Sequence, residues 1–211
     1  MICVSIAGSE QLPEILRLRA DMLELRFDLI REEPKMLFSL IPASVRVVAT
    51  CRPGNMDDTE RMDLLKASVD RGAAFLDLEI ESSPGYFREL AGYAVEQGCQ
   101  VIVSYHNHEL TPGGDQLKAI LEKAYQMGAS VAKIATQVHS REDIGNLLSL
   151  YELPGRKVVI GMGERGRITR VAAPYLGAEF TFAAPEEGPG TAPGQLTYRR
   201  LKKIFQTIGP A

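Results

Sequence analysis

The chain of 211 residues predicts an α/β fold of the (β/α)8 or TIM-barrel type. Three observations carry that expectation. Short β-rich runs alternate with segments of helical spacing, there are eight of each, and several helical segments close on a glycine directly before the next strand. Strands alternating with helices imply βαβ units and a parallel sheet. A length of 211 residues fits eight such units as a single barrel domain, residues 1–211, better than an open sheet. The open doubly wound alternative lacks its usual mark, because no GxGxxG follows any strand.

The elements read as follows. The first strand covers Ile2–Ala7, and Leu12, Ile15, Leu16 and Arg19 then recur at helical spacing. Strands two and three cover Met22–Leu29 and Val45–Cys51. Met62, Leu65, Ala67 and Val69 mark the next helix, which ends at Arg71-Gly72. Strand four is Ala74–Ile80, and its helix ends at Gln97-Gly98. Strand five is Gln100–Tyr105, followed by Leu117, Ile120, Leu121, Ala124 and Met127 up to Gly128. Strand six is Ser130–Thr136, strand seven Lys157–Met162, and the following helix closes at Leu176-Gly177. Strand eight is Glu179–Ala183, and the last helix runs from Gln195 to Ile208. The four closing glycines suit the left-handed position after a helix.

Composition narrows the function. Apolar content of 45% with 24% charged residues describes an ordinary globular protein. A net charge of −3 gives no basic footprint for a nucleic-acid partner. Cys3, Cys51 and Cys99 are odd in number and lack CxxC or CxxH spacing, so they read as buried thiols in a reducing compartment. No apolar stretch reaches membrane-span length, and residues 1 to 8 read as strand without a basic leader. These features make a cytoplasmic protein with no membrane partner the expectation.

Chemistry concentrates in a few runs. Lys133 lies in Val131-Ala132-Lys133-Ile134-Ala135, where every neighbour is apolar. A lysine there must pair, snorkel or lose its charge, and a neutral amine is the nucleophile of Schiff-base catalysis. Strand parity adds to this. In strand two Leu23, Leu25 and Phe27 share one face while Glu24, Arg26 and Asp28 share the other. Asp77 and Glu79 share a face of strand four, as do Ser104 and His106 of strand five. Helices cover the outside of a barrel, so these polar sets are expected to point into its lumen or upper rim. An internal ion layer is the competing reading for Asp28, Asp77 and Glu79. It explains less well why Arg52, His106 and Lys133 gather near strand C-terminal ends, where barrel active sites form.

Several runs, in order, resemble a known family. Glu24-Leu25-Arg26-Phe27-Asp28, Ser104-Tyr105-His106-Asn107, Ala132-Lys133-Ile134-Ala135 and Thr191-Ala192-Pro193-Gly194-Gln195 together resemble the type I 3-dehydroquinate dehydratases. Ser5, Ala49-Thr50-Cys51-Arg52 and Ile168-Thr169-Arg170-Val171 extend the likeness over essentially the whole chain. The resemblance implies a TIM barrel, usually a homodimer, acting on 3-dehydroquinate in the shikimate pathway with no metal or organic cofactor. It implies that Lys133 forms an imine with the substrate ketone and that His106 is the general acid and base. Glu24, Arg26, Arg52 and Arg170 match substrate-holding groups, with Arg170 facing the carboxylate, and Ser5, Thr191 and Gln195 match hydrogen-bonding positions around the ring.

The chemistry is consistent with these residue types. A protonated imine is an electron sink that acidifies the neighbouring C–H. A histidine, whose unperturbed pKa lies near neutrality, can take that proton and return it to the departing hydroxyl. One base serving both steps predicts syn elimination. Arg26 and Arg52 are further expected to favour a neutral Lys133 by like-charge repulsion.

The sequence also departs from the family. Met56 stands where many members have a glutamate that supports the histidine, leaving Asp57, Asp58 or Glu79 for that task. Thr191 replaces a serine, and His108, where phenylalanine is frequent, is a minor alternative base. His139 reads as solvated. The stretch 183–195, rich in proline and glycine, reads as a lid that orders on binding. Deleting Glu186–Pro189 is then expected to stop turnover while sparing imine formation. Two other functions compete. A class I aldolase would share Lys133 but need a phosphate loop, for which Gly161–Gly166 is the candidate, and a binding module for a quinate-like acid would need neither Lys133 nor His106.

Overall fold

The computed structural model describes residues 1–54, 56–188, 190–192 and 194–209. Asn55, Pro189 and Pro193 lie outside the described residues. Among the described residues, eight strands alternate with eight α-helices. The strands are β1 (Ile2–Ile6), β2 (Met22–Arg26), β3 (Arg46–Thr50), β4 (Phe75–Glu79), β5 (Gln100–Asn107), β6 (Val131–Gln137), β7 (Lys157–Met162) and β8 (Thr181–Ala183). The helices are α1 (Leu12–Arg17), α2 (Pro34–Leu40), α3 (Asp58–Asp70), α4 (Pro84–Glu96), α5 (Gly114–Gln126), α6 (Arg141–Ser149), α7 (Gly163–Ala172) and α8 (Tyr198–Ile208).

All strand pairs are parallel, in the order β7-β6-β5-β4-β3-β2-β1-β8. The ends of that order, β7 and β8, meet through one backbone bond from Glu179 N to Lys157 O at 3.0 Å. The barrel is therefore nearly closed, with its seam beside α7. That helix lies directly on β7. A Cβ on Gly166 would stand 2.4 Å from the Gly161 carbonyl carbon. Thr169 Oγ1 accepts from Gly161 N at 2.7 Å and donates to Gly166 O at 2.7 Å. The glycine run Gly161–Gly166 thus serves helix-on-strand packing.

The expected parity holds, with one refinement. Leu23, Leu25, Leu76, Leu78, Val101, Val103, Ala132 and Ile134 face outward into the core beneath the helices. The lumen is not polar throughout. Its lower part is an apolar plug that includes Met22, Val48, Phe75, Ile102, Val131, Val158 and Phe180. The next layers toward the strand C-terminal ends are polar on β1 to β6, where each strand turns from an apolar to a polar inward residue two positions later, while β7 and β8 keep Ile160, Met162 and Phe182 facing inward.

The expected helix-closing glycines, Gly72, Gly98, Gly128 and Gly177, all have positive φ between 74° and 98°. Boundaries shift where local bonding dictates. β2 stops at Arg26, whose carbonyl turns back to accept from Leu29 N and Ile30 N at 2.8 Å each. β5 runs on past Tyr105 because β6 continues to pair with it, His106 opposite Ala135 and Asn107 opposite Thr136. β8 starts only at Thr181, since Glu179 makes just the single bond across the seam.

Candidate active site

Lys133, at the third position of β6, is buried with 5% exposure. Its Nζ donates to Asp77 Oδ2 at 2.8 Å and lies 3.6 Å from Glu24 Oε1. It also sits 4.4 Å above the centre of the Phe182 ring. The side chain is therefore held by opposite charges and not isolated among cations, as repulsion from Arg26 and Arg52 had suggested. Arg52 reaches the other oxygen of Asp77 at 2.9 Å and Glu79 Oε1 at 2.8 Å. Asp77 is the hub. Burial favours its neutral form, yet Arg52 and Lys133 outweigh that and hold it far below the usual carboxylate range.

Glu24 is the second anchor of Lys133. Thr50 Oγ1 donates to its Oε1 at 2.9 Å and Ser5 Oγ donates to its Oε2. Burial raises its pKa, and Lys133, Arg26 and Arg52 pull it below the ordinary value. Ser5 itself is fully buried behind Glu24 and Thr191. Thr191 Oγ1 donates to Ser5 Oγ at 2.7 Å, so the loop after β8 is hydrogen-bonded into this network. Gln195 Oε1 accepts from Thr191 N at 3.0 Å and Ala192 N at 3.3 Å. Its amide therefore shapes the loop, and α8 begins only at Tyr198 because the backbone before it pairs with Ala184, Ala184 N donating to Leu196 O at 2.9 Å and Tyr198 N to Ala184 O at 3.0 Å.

His106 lies two residues beyond Ser104 on the inward face of β5. Its Nδ1 is 3.0 Å from Glu79 Oε2. Burial and then Arg52 depress its pKa, while the bond to Glu79 works in the opposite direction. The imidazole is thus poised as a free base at neutral pH. Of the acids left open for its support, Glu79 is the one in contact. Asp57 caps α3, accepting from Thr59 N and Glu60 N at 2.8 and 2.9 Å, and Asp58 pairs with Arg61 at 2.7 Å. Met56 packs against the outer core. His108 stacks beside His106 with centroids 6.2 Å apart and planes 10° from parallel. His139 is exposed, its Nε2 2.7 Å from the Glu109 carbonyl oxygen.

The two remaining arginines behave differently. Arg26 grips Asp28 through two bonds, Nε to Oδ1 at 2.9 Å and Nη2 to Oδ2 at 2.6 Å, so its fork is already occupied. Arg170 has no such partner. Reaching inward from α7, it is fully buried, and its Nη1 makes one long bond to Phe182 O at 3.5 Å. Its Nε and Nη2 have no partner among the described residues. Burial lowers its pKa to about 10, which still leaves it charged at neutral pH. A buried cation with free donors is costly unless an anion completes it.

Lys133, His106, Arg26, Arg52, Arg170, Glu24, Thr191 and Gln195 all line one cavity of about 650 Å³ at the strand C-terminal ends. Thr50 and Phe182 complete the surroundings of Lys133 without having been expected. Parity could have found Thr50, two positions before Arg52, whereas a strand as short as β8 gives no usable alternation. Among the described residues no three His, Cys, Asp or Glu side chains are placed to hold a metal ion.

The family model for Type I 3-dehydroquinase matches residues 2–211. The chain belongs to the type I 3-dehydroquinase family. It is a hydro-lyase of the shikimate pathway. A 3-dehydroquinate dehydratase of Methanococcus maripaludis strain C7 is 36% identical over 197 residues, covering 90% of this chain and 88% of that protein. The 3-dehydroquinate dehydratase structure from Aquifex aeolicus superposes with a TM-score of 0.86 at 28% identity, covering 98% of each chain. The Geobacillus kaustophilus structure gives 0.87 at 24% identity, covering 98% of this chain and 90% of that one, and supports the barrel fold. No described helix is long and apolar enough to cross a membrane.

Proposed function

We propose that this type I 3-dehydroquinase converts 3-dehydroquinate to 3-dehydroshikimate by syn elimination through an imine on Lys133. The observation that carries the reading is one cavity holding a buried lysine, a histidine paired with Glu79, and Arg170 with unpartnered donors. Arg170 takes the substrate carboxylate, which satisfies its free N–H groups and orients the ring. Lys133 Nζ, after releasing a proton, adds to the C3 ketone, and the ketone oxygen leaves as water. The resulting protonated imine is the electron sink.

His106, a free base at neutral pH, then removes the C2 proton to give an enamine. The imidazolium returns that proton to the C1 hydroxyl, which departs as a second water as the C1–C2 double bond forms. One water re-enters to hydrolyse the imine and free Lys133, so a single water is released overall. Glu79 stabilises the charged form of His106 between the two transfers, and Asp77 and Glu24 stabilise the positive charge at Nζ. Ser5, Thr191 and Gln195 shape the wall nearest the loop. Arg26 and Arg52 contact the ring only as far as Asp28, Asp77 and Glu79 release them. On the same reading the chain works as a single-domain cytoplasmic homodimer, with one small-molecule substrate and no metal or organic cofactor.

The test is intact mass after mixing with 3-dehydroquinate and sodium borohydride. Reduction makes the imine permanent, so the mass is expected to rise by one ligand, and peptide mapping places the adduct on Lys133. The product's enone absorbance separates dehydration from other lyase chemistry. A folded protein that takes up no adduct overturns the imine.

A further inference from the structure

We infer that Gln11 is a positioning residue that latches the loop between β8 and α8 over the reaction cavity. The inference rests on the proposed reading of that cavity as the reaction site. Gln11 closes the single 3-10 turn Ser9–Gln11 that follows β1, and it is 5% exposed. Its Oε1 accepts from Ala7 N at 2.8 Å and from Gly8 N at 3.3 Å. Its Nε2 donates to Glu187 O at 3.2 Å, 176 residues away in sequence. The acceptor half of the amide is thus fixed by its own loop, and the donor half points to the far one. A side chain already immobilised by two bonds loses little further entropy in making the third.

The loop's ends are held elsewhere. Glu186 Oε1 accepts from Arg199 N at 2.7 Å, at the start of α8. Gly194 packs so closely on α7 that a Cβ there would stand 2.2 Å from Gly163 O. Between these ends, the bonds to the β1 side are Thr191 to Ser5 and Gln11 to Glu187. Ser5 passes a bond on to Glu24, which is 3.6 Å from Lys133. Loop position is therefore coupled to the surroundings of Lys133 through two hydroxyls, and Gln11 is the side chain that biases the loop toward the position where that chain is made.

Two variants attack the same contact from opposite sides. Gln11→Glu keeps the acceptor oxygen for Ala7 and Gly8 but sets an oxygen against the Glu187 carbonyl. Gly188→Ala leaves β1 untouched, yet its Cβ would fall 2.6 Å from Gln11 Nε2, at a φ of +83° that already disfavours alanine. Each variant is expected to raise KM about two- to tenfold, the ~0.5–1.5 kcal/mol of one net hydrogen bond at ~1.4 kcal/mol per tenfold. Turnover at saturation should stay within about twofold, and amides 184–192 should exchange faster in deuterium. The double variant should be no worse than the poorer single one, because both remove one contact.

Unchanged KM and unchanged exchange overturn the latch. So do additive losses in KM, kcat and melting temperature, which mark mere structural damage. Borohydride trapping on the same samples keeps the two readings apart. A wild-type protein that traps no imine sinks the assigned reaction, while the exchange comparison still judges whether Gln11 holds the loop.

Discussion

Arg170→Met tests the assignment of the carboxylate site through stability and activity together. The guanidinium is fully buried, with two nitrogens unpartnered and one bond at 3.5 Å. Burial lowers its pKa from the ordinary guanidinium value to about 10. At ~1.4 kcal/mol per pKa unit, the charged form is destabilised in the folded protein by about 3 kcal/mol, and full burial leaves no solvent screening to discount. Methionine has a similar length, no charge, and packs adaptably. The variant should therefore be more stable than the parent, by up to about 3 kcal/mol less whatever packing is lost. That corresponds to a rise in melting temperature of roughly 2–4 °C per kcal/mol at this size. Binding should move the other way. Losing two charge-assisted bonds at ~1.5–3 kcal/mol each predicts a fall in kcat/KM of roughly a hundredfold to ten-thousandfold. Denaturant midpoints and initial rates of enone formation measure both quantities on one preparation. A variant that is less stable, or that keeps kcat/KM within threefold, refutes the view of Arg170 as a cation stored for the substrate.

The other predictions concern the network and the seam. In Glu79→Gln, His106 loses the partner that raises its pKa, while burial and Arg52 continue to lower it. The acid limb of kcat/KM should therefore move to lower pH, and a move to higher pH would contradict the assigned balance. Asp77→Asn leaves Lys133 and Arg52 without their shared partner, which should cost about 3–5 kcal/mol at neutral pH, as for other broken buried pairs. Asp77 has a depressed native pKa, so its contribution is present above the unfolded value of ~3.9 and is lost as pH falls through the native one. The stability gap between variant and parent should narrow below about pH 4 in urea titrations, and a constant gap would exclude this linkage. Gly166→Ala would place a Cβ 2.4 Å from backbone of β7 that cannot rotate away. A loss of about 1–3 kcal/mol is expected in denaturant unfolding, and an unchanged midpoint would show that α7 can lift from β7 freely.

The barrel was legible because its signals are local. Alternation in β2, β4 and β5 separates an apolar outer face from a polar inner one, and the glycines after four helices fix where strands resume. The gathering of Glu24, Asp77, Glu79, His106 and Lys133 also followed from parity. Their pairing did not. Asp77 and Lys133 are 56 residues apart, and parity names the face without naming which carboxylate meets which cation. Arg26 shows the limit clearly, since its partner Asp28 lies just past the end of β2, where the strand turns and alternation stops. Arg170 lies on a helix, and only the family resemblance pointed to it. The apolar floor of the lumen was hidden because β1 to β5 each contribute a single inward residue to it, too few to form a run.

The pairing of Lys133 changes how its burial should be understood. The apolar run around it suggested an amine kept neutral by desolvation, yet the structure supplies Asp77 and Glu24 at the nitrogen itself. The amine attacks in its unprotonated form, and these carboxylates lie where the charge of the next species would form. On the proposed mechanism they favour the protonated imine, because it carries its positive charge at the same atom. The network also includes Glu79 and Arg52, so the three carboxylates Glu24, Asp77 and Glu79 share the two cations Lys133 and Arg52. Substrate arriving with its own carboxylate would neutralise Arg170 while the imine keeps the charge at Nζ. On the proposed mechanism the site is arranged for the intermediate more than for the free enzyme, and the cost of that arrangement falls on Arg170, whose Nε and Nη2 are without a partner among the described residues.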